Sequence, residues 1–142
     1  MNPTIEKFGY PATLVKEFDH WVVLLRPAQV TFASLVLAAK SSATAYGNLP
    51  RAAFAEQADV VAAIEQALKH VTDYDRINYL MLMMVDRNVH FHIFPRYRET
   101  RRWGEMEFPD AGWPGPPRLD SAIKLSGDQI DKLTNELADI FR

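Results

Sequence analysis

The chain of 142 residues contains no cysteine. Disulfide bridges, thiolate zinc sites and a cysteine nucleophile are therefore excluded. The absence also fits a reducing compartment. Net charge is scarce: 16 Lys and Arg stand against 18 Asp and Glu, a formal −2 at pH 7. No global basic field exists to hold nucleic acid without sequence preference, so DNA and RNA are not expected partners. Long apolar runs are missing too. The longest, such as Tyr79 to Val85, are far too short to cross a bilayer. Met1 to Lys7 shows no apolar signal-peptide core. The expectation is a cytoplasmic protein with no membrane partner. Apolar residues make up 48% and charged residues 24% of the chain, enough for one domain over 1–142 with its own core.

Periodicity organises the rest. Thr13 to Glu17 and His20 to Leu25 are short apolar runs with Asp19 between them, as in a hairpin. Ser34 to Ala39 is a third such run, followed by a polar stretch punctuated at Gly47-Asn48-Leu49-Pro50. From Ala52 to Val71, residues Phe54, Val61, Ile64, Leu68 and Val71 trace one helical face. Arg76 to Val85 is strongly apolar and reads as a central strand, then Asp86-Arg87 as a turn and Asn88 to Arg96 as its antiparallel neighbour. Met81, Met83 and Met84 are expected in the core. Gly104 to Leu119, with four prolines, should be irregular. Ser126 and Gln129 form a capping box opening a terminal helix, whose buried face is Ile130, Leu133, Leu137 and Ile140. These elements add up to an α+β domain with an antiparallel sheet, one long central helix and a C-terminal helix.

Chemistry concentrates in Asn88-Val89-His90-Phe91-His92-Ile93-Phe94-Pro95-Arg96. Strand alternation sends Asn88, His90 and His92 to one face and Val89, Phe91 and Ile93 to the other. Half of the strand packs the protein, and half presents imidazoles, which are both nucleophiles and proton carriers near neutral pH. From the residues alone three readings stand: catalysis or phosphate binding, a His-x-His metal site, and a solvated edge. A metal would want a third ligand, and the spacing of His20 and His70 brings neither close.

This stretch resembles the signature of the histidine triad superfamily, in which three histidines alternate with apolar residues, often followed by Pro-Arg. The resemblance spans about residues 10 to 100, and nearest is the bacterial subgroup that includes diadenosine tetraphosphate hydrolases. Asn88 stands at the first triad position, where that subgroup commonly has Gln. Met83-Met84 stands where the subgroup usually has Gly-Asn, and the glycine-rich phosphate loop of other branches is absent. The resemblance implies that His90 is the nucleophile, attacking an α-phosphate to form a covalent nucleotidyl-histidine that water then releases. His92 would donate to phosphate or leaving-group oxygen, and Asn88 could only hydrogen-bond. It further implies a nucleotide substrate, dinucleoside polyphosphates first, a homodimer, and no cofactor beyond Mg²⁺ arriving with a polyphosphate. Departures from the signature keep open a catalytically impaired nucleotide-binding module.

Other residues carry weaker signals. Arg26 falls where the family places a ribose-side contact, although a solvated strand end is the favoured reading. Asn78 aligns with an asparagine frequent in the subgroup. Arg96, with Arg98, Arg101 and Arg102, could add positive potential for phosphates, or be a solvated charge run. Trp103 and Trp113 could stack on a base, cover a dimer seam or pack the core.

Overall fold

In the computed structural model, which describes residues 1–142, a one-turn helix α1 (Pro3–Lys7) precedes the hairpin of β1 (Leu14–Glu17) and β2 (Trp21–Leu25). The two-residue β3 (Ala28–Gln29) and then β4 (Leu35–Ala39) follow, and a polar stretch leads to α2 (Arg51–Thr72). Next come β5 (Arg76–Leu80), β6 (His90–Arg96), a small hairpin of β7 (Arg101–Trp103) and β8 (Met106–Phe108), β9 (Ile123–Lys124) and α3 (Gly127–Ile140). Five strands form one antiparallel sheet in the order β1-β2-β4-β6-β5.

Every residue of β2 and β4 is buried. Burial on both sides of a strand requires cover on both faces of the sheet. Val23, Leu25, Leu35, Leu37 and Ile93 join Val60, Ile64 and Leu68 of α2 and Leu133 and Leu137 of α3 in the larger core. Val22, Leu24, Val36 and Ala38 point the other way and pack around Ile5 of α1. His90 and His92 lie on this second face, since Ala38 pairs with His90 and Val36 with His92.

Several expectations are corrected. Arg76 to Val85 is not a central strand: β5 stops at Leu80 and forms the sheet edge, bonded to β6 alone. The residues that made the run so apolar pass into a connecting loop, where Met84 is 83% exposed rather than in the core. On α2 the buried stripe is Ala53, Val60, Ile64, Ala67, Leu68 and Thr72, so Phe54 and Val71 face outward. Phe54 instead packs on Tyr46, ring centroids 5.2 Å apart. The segment 104–119 is not wholly irregular, because β8 falls inside it and pairs with β7 around Gly104, whose φ is +59°. The capping box at Ser126 and Gln129 forms as expected. No helix is long and apolar enough to cross a membrane.

Candidate functional site

Strand β6 sits between β4 and β5, and its pleat puts His90, His92, Phe94 and Arg96 in one row. The imidazoles are neighbours, with centroids 5.2 Å apart and planes at 85°. Phe94 stacks on His92 at 6.0 Å, and the Arg26 guanidinium lies over Phe94 at the same distance. Asn88, just before the strand, completes the row on its other side.

Hydrogen bonds assign the two rings opposite tautomers. His90 Nδ1 lies 2.7 Å from the Asn88 carbonyl oxygen, which can only accept. Nδ1 of His90 therefore carries the proton, and in the neutral ring Nε2 keeps its lone pair. His92 Nδ1 instead accepts from Arg26 Nε at 3.3 Å. A guanidinium cannot accept, so the proton of neutral His92 sits on Nε2. Burial, then the neighbouring Arg26 charge and then His90, holds the His92 pKa down at about 4. His92 is thus a neutral N–H donor at pH 7. Arg26 is no solvated strand end: it is partly buried, Nη1 donates to Ala28 O at 2.6 Å, and Nη2 has no partner in the protein.

The row is covered. His90 is 1% exposed and His92 8%, so the side of the strand expected to present imidazoles is closed over rather than open. The cover is α1 with the residue after it. Phe8 sits 5.8 Å from the His90 ring and 5.6 Å from that of His92. Asn88 is buried and engaged with α1: its Oδ1 accepts from Thr4 Oγ1 at 3.0 Å, and its backbone N–H donates to Thr4 Oγ1 at 3.2 Å. Its Nδ2 donates to Ser42 O at 3.1 Å.

Arg96 and Asn78 lie further along the same face but make a different structure. The Arg96 fork is taken by Asp110, at 2.7 and 2.9 Å, by Asn78 Oδ1 at 2.7 Å and by Gly115 O at 2.9 Å. Both ion-pair partners are buried, with side chains 4% and 1% exposed. The expected substrate contacts at Arg96 and Asn78 are reassigned to a clamp that seats the segment 110–115, because the guanidinium is turned inward and neutralised. Arg101 stacks on Tyr97 at 4.6 Å and Arg102 pairs with Glu107 at 2.9 Å, so neither joins the imidazoles. Trp103 Nε1 donates to Glu136 at 2.7 Å, and Trp113 lines a cleft with Arg76, Asn78 and Arg96.

A metal ion does not suit this donor set. No three or more His, Asp and Glu side chains converge anywhere in the chain. At His92 the Nδ1 lone pair is taken by Arg26, whose guanidinium would face any cation bound there. Sequence reasoning missed Thr4, Phe8 and Asp110. The first two had a signal: Asn2 before Pro3 is an N-cap followed by proline at the first helical position, and Asn2 Oδ1 indeed accepts from Ile5 N at 3.0 Å. Asp110 had none, since its partner lies 14 residues away across an irregular loop.

No family model and no curated protein sequence matches the chain. Solved structures do resemble it. A histidine triad protein from Sinorhizobium meliloti 1021 superposes with a TM-score of 0.75 at 16% identity, covering 98% of this chain and 94% of that one. Another, from Marinobacter aquaeolei VT8, gives 0.75 at 17% identity, covering 96% and 93%. The diadenosine triphosphate hydrolase of Plasmodium falciparum gives 0.69 at 9% identity, covering 96% and 92%. Likeness at such identity speaks to architecture rather than activity. The five-stranded antiparallel sheet with α2 and α3 packed on one face is the histidine triad fold.

Proposed function

We propose that this chain is a nucleotide hydrolase or transferase that cleaves at an α-phosphate through a covalent nucleotidyl-His90. One observation carries the proposal: two adjacent imidazoles on one sheet face make opposite hydrogen bonds, His90 Nδ1 to the Asn88 carbonyl and His92 Nδ1 from Arg26, which gives neutral His90 a lone pair on Nε2 and His92 a proton there. A nucleophile beside a neutral donor is what displacement at phosphorus requires.

In the first step the His90 Nε2 lone pair bonds to phosphorus, and the bond from phosphorus to the leaving oxygen breaks. A polyphosphate or nucleotide leaving group departs as a stable anion and needs no proton at neutral pH. His92 Nε2–H, held neutral, hydrogen-bonds an anionic oxygen as charge builds on it. Arg26 Nη2, without a protein partner, would take another. In the second step water attacks phosphorus, the P–N bond breaks with its electron pair returning to Nε2, and a water proton goes to solvent. Another acceptor in place of water makes the reaction a transfer.

Dinucleoside polyphosphates, with diadenosine tetraphosphate the first to try, are the proposed substrate class, and a homodimer the proposed assembly. Mg²⁺ would arrive only with the polyphosphate. A second reading, a nucleotide-binding module without turnover, draws on the 1% exposure of His90. Labelled substrate with acid-stable and acid-labile product analysis separates the two. The enzyme yields a phosphoramidate on His90 that His90→Ala lacks, together with a nucleoside monophosphate. A protein that binds the nucleotides but forms neither product is the module.

A further inference from the structure

We propose that α1 and Phe8 form a lid over the His90–His92 pair, and that Asn88, at the first triad position, is its latch. As a device that regulates turnover this rests on the function proposed above. As an account of what bars access to the imidazoles it stands on geometry alone.

The closed state is the one described. Phe8 is in aromatic contact with both rings, so the space an incoming phosphate ester would need over them is filled. Three features make this cover separable. A helix of five residues cannot hold itself together and depends on what it docks against. Its polar fastenings are all of kinds that water can replace. They are the Asn88–Thr4 bonds, Asn2 Nδ2 to Ala39 O at 2.8 Å and to Ser41 O at 3.0 Å, Thr13 Oγ1 to Phe8 O at 2.7 Å, and the ion pair of Lys7 with Asp86 at 2.6 Å. The Lys7 end of that pair is 55% exposed. No buried charge is uncovered when they part. Finally, Gly9 follows Phe8 with φ +93°, a conformation other residues adopt with strain, and marks where the chain turns away from the lid. Ile5, fully buried against Val22, Leu24, Val36 and Ala38, opposes opening and keeps the open state a minor population.

Asn88 suits the latch chemically. Its carboxamide accepts from Thr4 and donates to Ser42 O at once. It does not titrate, so the fastening is the same at any physiological pH. A histidine there would carry a proton that the imidazole row beside it could gain or lose.

Accessibility of the four histidines to diethyl pyrocarbonate, read by peptide mass spectrometry on the full chain, tests the lid without any nucleotide. His20 and His70, off the sheet face, serve as internal standards. The Thr4→Val variant keeps shape and removes the hydroxyl from the latch. His90 modification should rise about tenfold or more relative to His70, because the lost hydroxyl both donates to Asn88 Oδ1 and accepts from Asn88 N. Lys7→Met should raise it less. Modification of His90 in wild type should also stay level in low urea, as local opening does, rather than climb with global unfolding. An unchanged His90 rate in Thr4→Val, or a wild-type rate that follows global unfolding, overturns the lid. Thr4→Val need not fold perfectly for the test to count, because the urea profile of the wild type decides independently. Labelled nucleotide tests the function separately. Faster His90 modification with no phosphoramidate in either protein supports the lid and sinks the nucleotidyl-transfer proposal. Phosphoramidate in both, with equal modification rates, does the reverse.

Discussion

The face of the sheet that carries Asn88, His90, His92, Phe94 and Arg96 is covered twice, and the two covers differ in kind. At one end α1 lies over the imidazoles, fastened by neutral hydrogen bonds and one solvent-facing ion pair. At the other end the segment 110–115 lies over Arg96, fastened by a bidentate ion pair with both partners buried. A buried pair is costly to break, because each charge would be left without its partner in a poorly polarisable interior. Neutral bonds that part together leave no charge behind, and water can take both partners at a net cost of about 1 kcal/mol each. Strand β6 therefore has one end built to stay closed and one end built to be opened, and the candidate chemistry is at the second.

Changes at the two ends should separate activity from stability. His90→Ala should give the largest effect, a loss of nucleotide turnover of about 10³-fold or more with the fold retained, measured as product formation together with circular dichroism. Asn88→Ala removes the latch and touches no reacting atom in the structure, so turnover should be retained and should rise where access to His90 limits it. Equal activity of His90→Ala and wild type would end the assignment. At the other end, Asp110→Ala strands the Arg96 charge. It should cost about 3–5 kcal/mol of stability by chemical denaturation.

A smaller effect distinguishes the ends by pH. The His92 pKa is lowered from the ordinary 6.5 to about 4 in the folded chain. A depressed folded value means the unfolded chain binds the proton first. The stabilisation is complete above about pH 6.5 and is lost as pH falls toward about 4, by roughly 2 kcal/mol once solvent screening is allowed for. His92→Gln should flatten the acid limb of stability against pH in that window. Smallest of all, Lys7→Ala removes a pair with one exposed member and should change stability by less than about 1 kcal/mol.

The sequence made the row itself readable, because alternation in Val89 to Ile93 decides which face each side chain takes. The terminal helix was equally plain, since Ser126 and Gln129 act within one turn. What it did not reveal depends on distant partners. The MLMMV run at 81–85 looks like core, yet whether it pairs depends on neighbours that its own composition does not encode. Arg26 looked like an ordinary strand end, and only the register of β2, β4 and β6 brings it to His92. The cover over the imidazoles was hidden for the same reason: Asn2-Pro3 announces a helix start but not where the helix docks.

The protonation pattern of the two rings decides whether β6 carries a nucleophile beside a donor. Long-range ¹H–¹⁵N correlation on the ¹⁵N-labelled protein at pH 7 reads it directly. His92 should be neutral with its proton on Nε2, and His90 should hold a proton on Nδ1. A doubly protonated His92, or a neutral His90 with its proton on Nε2, would contradict the proposed chemistry.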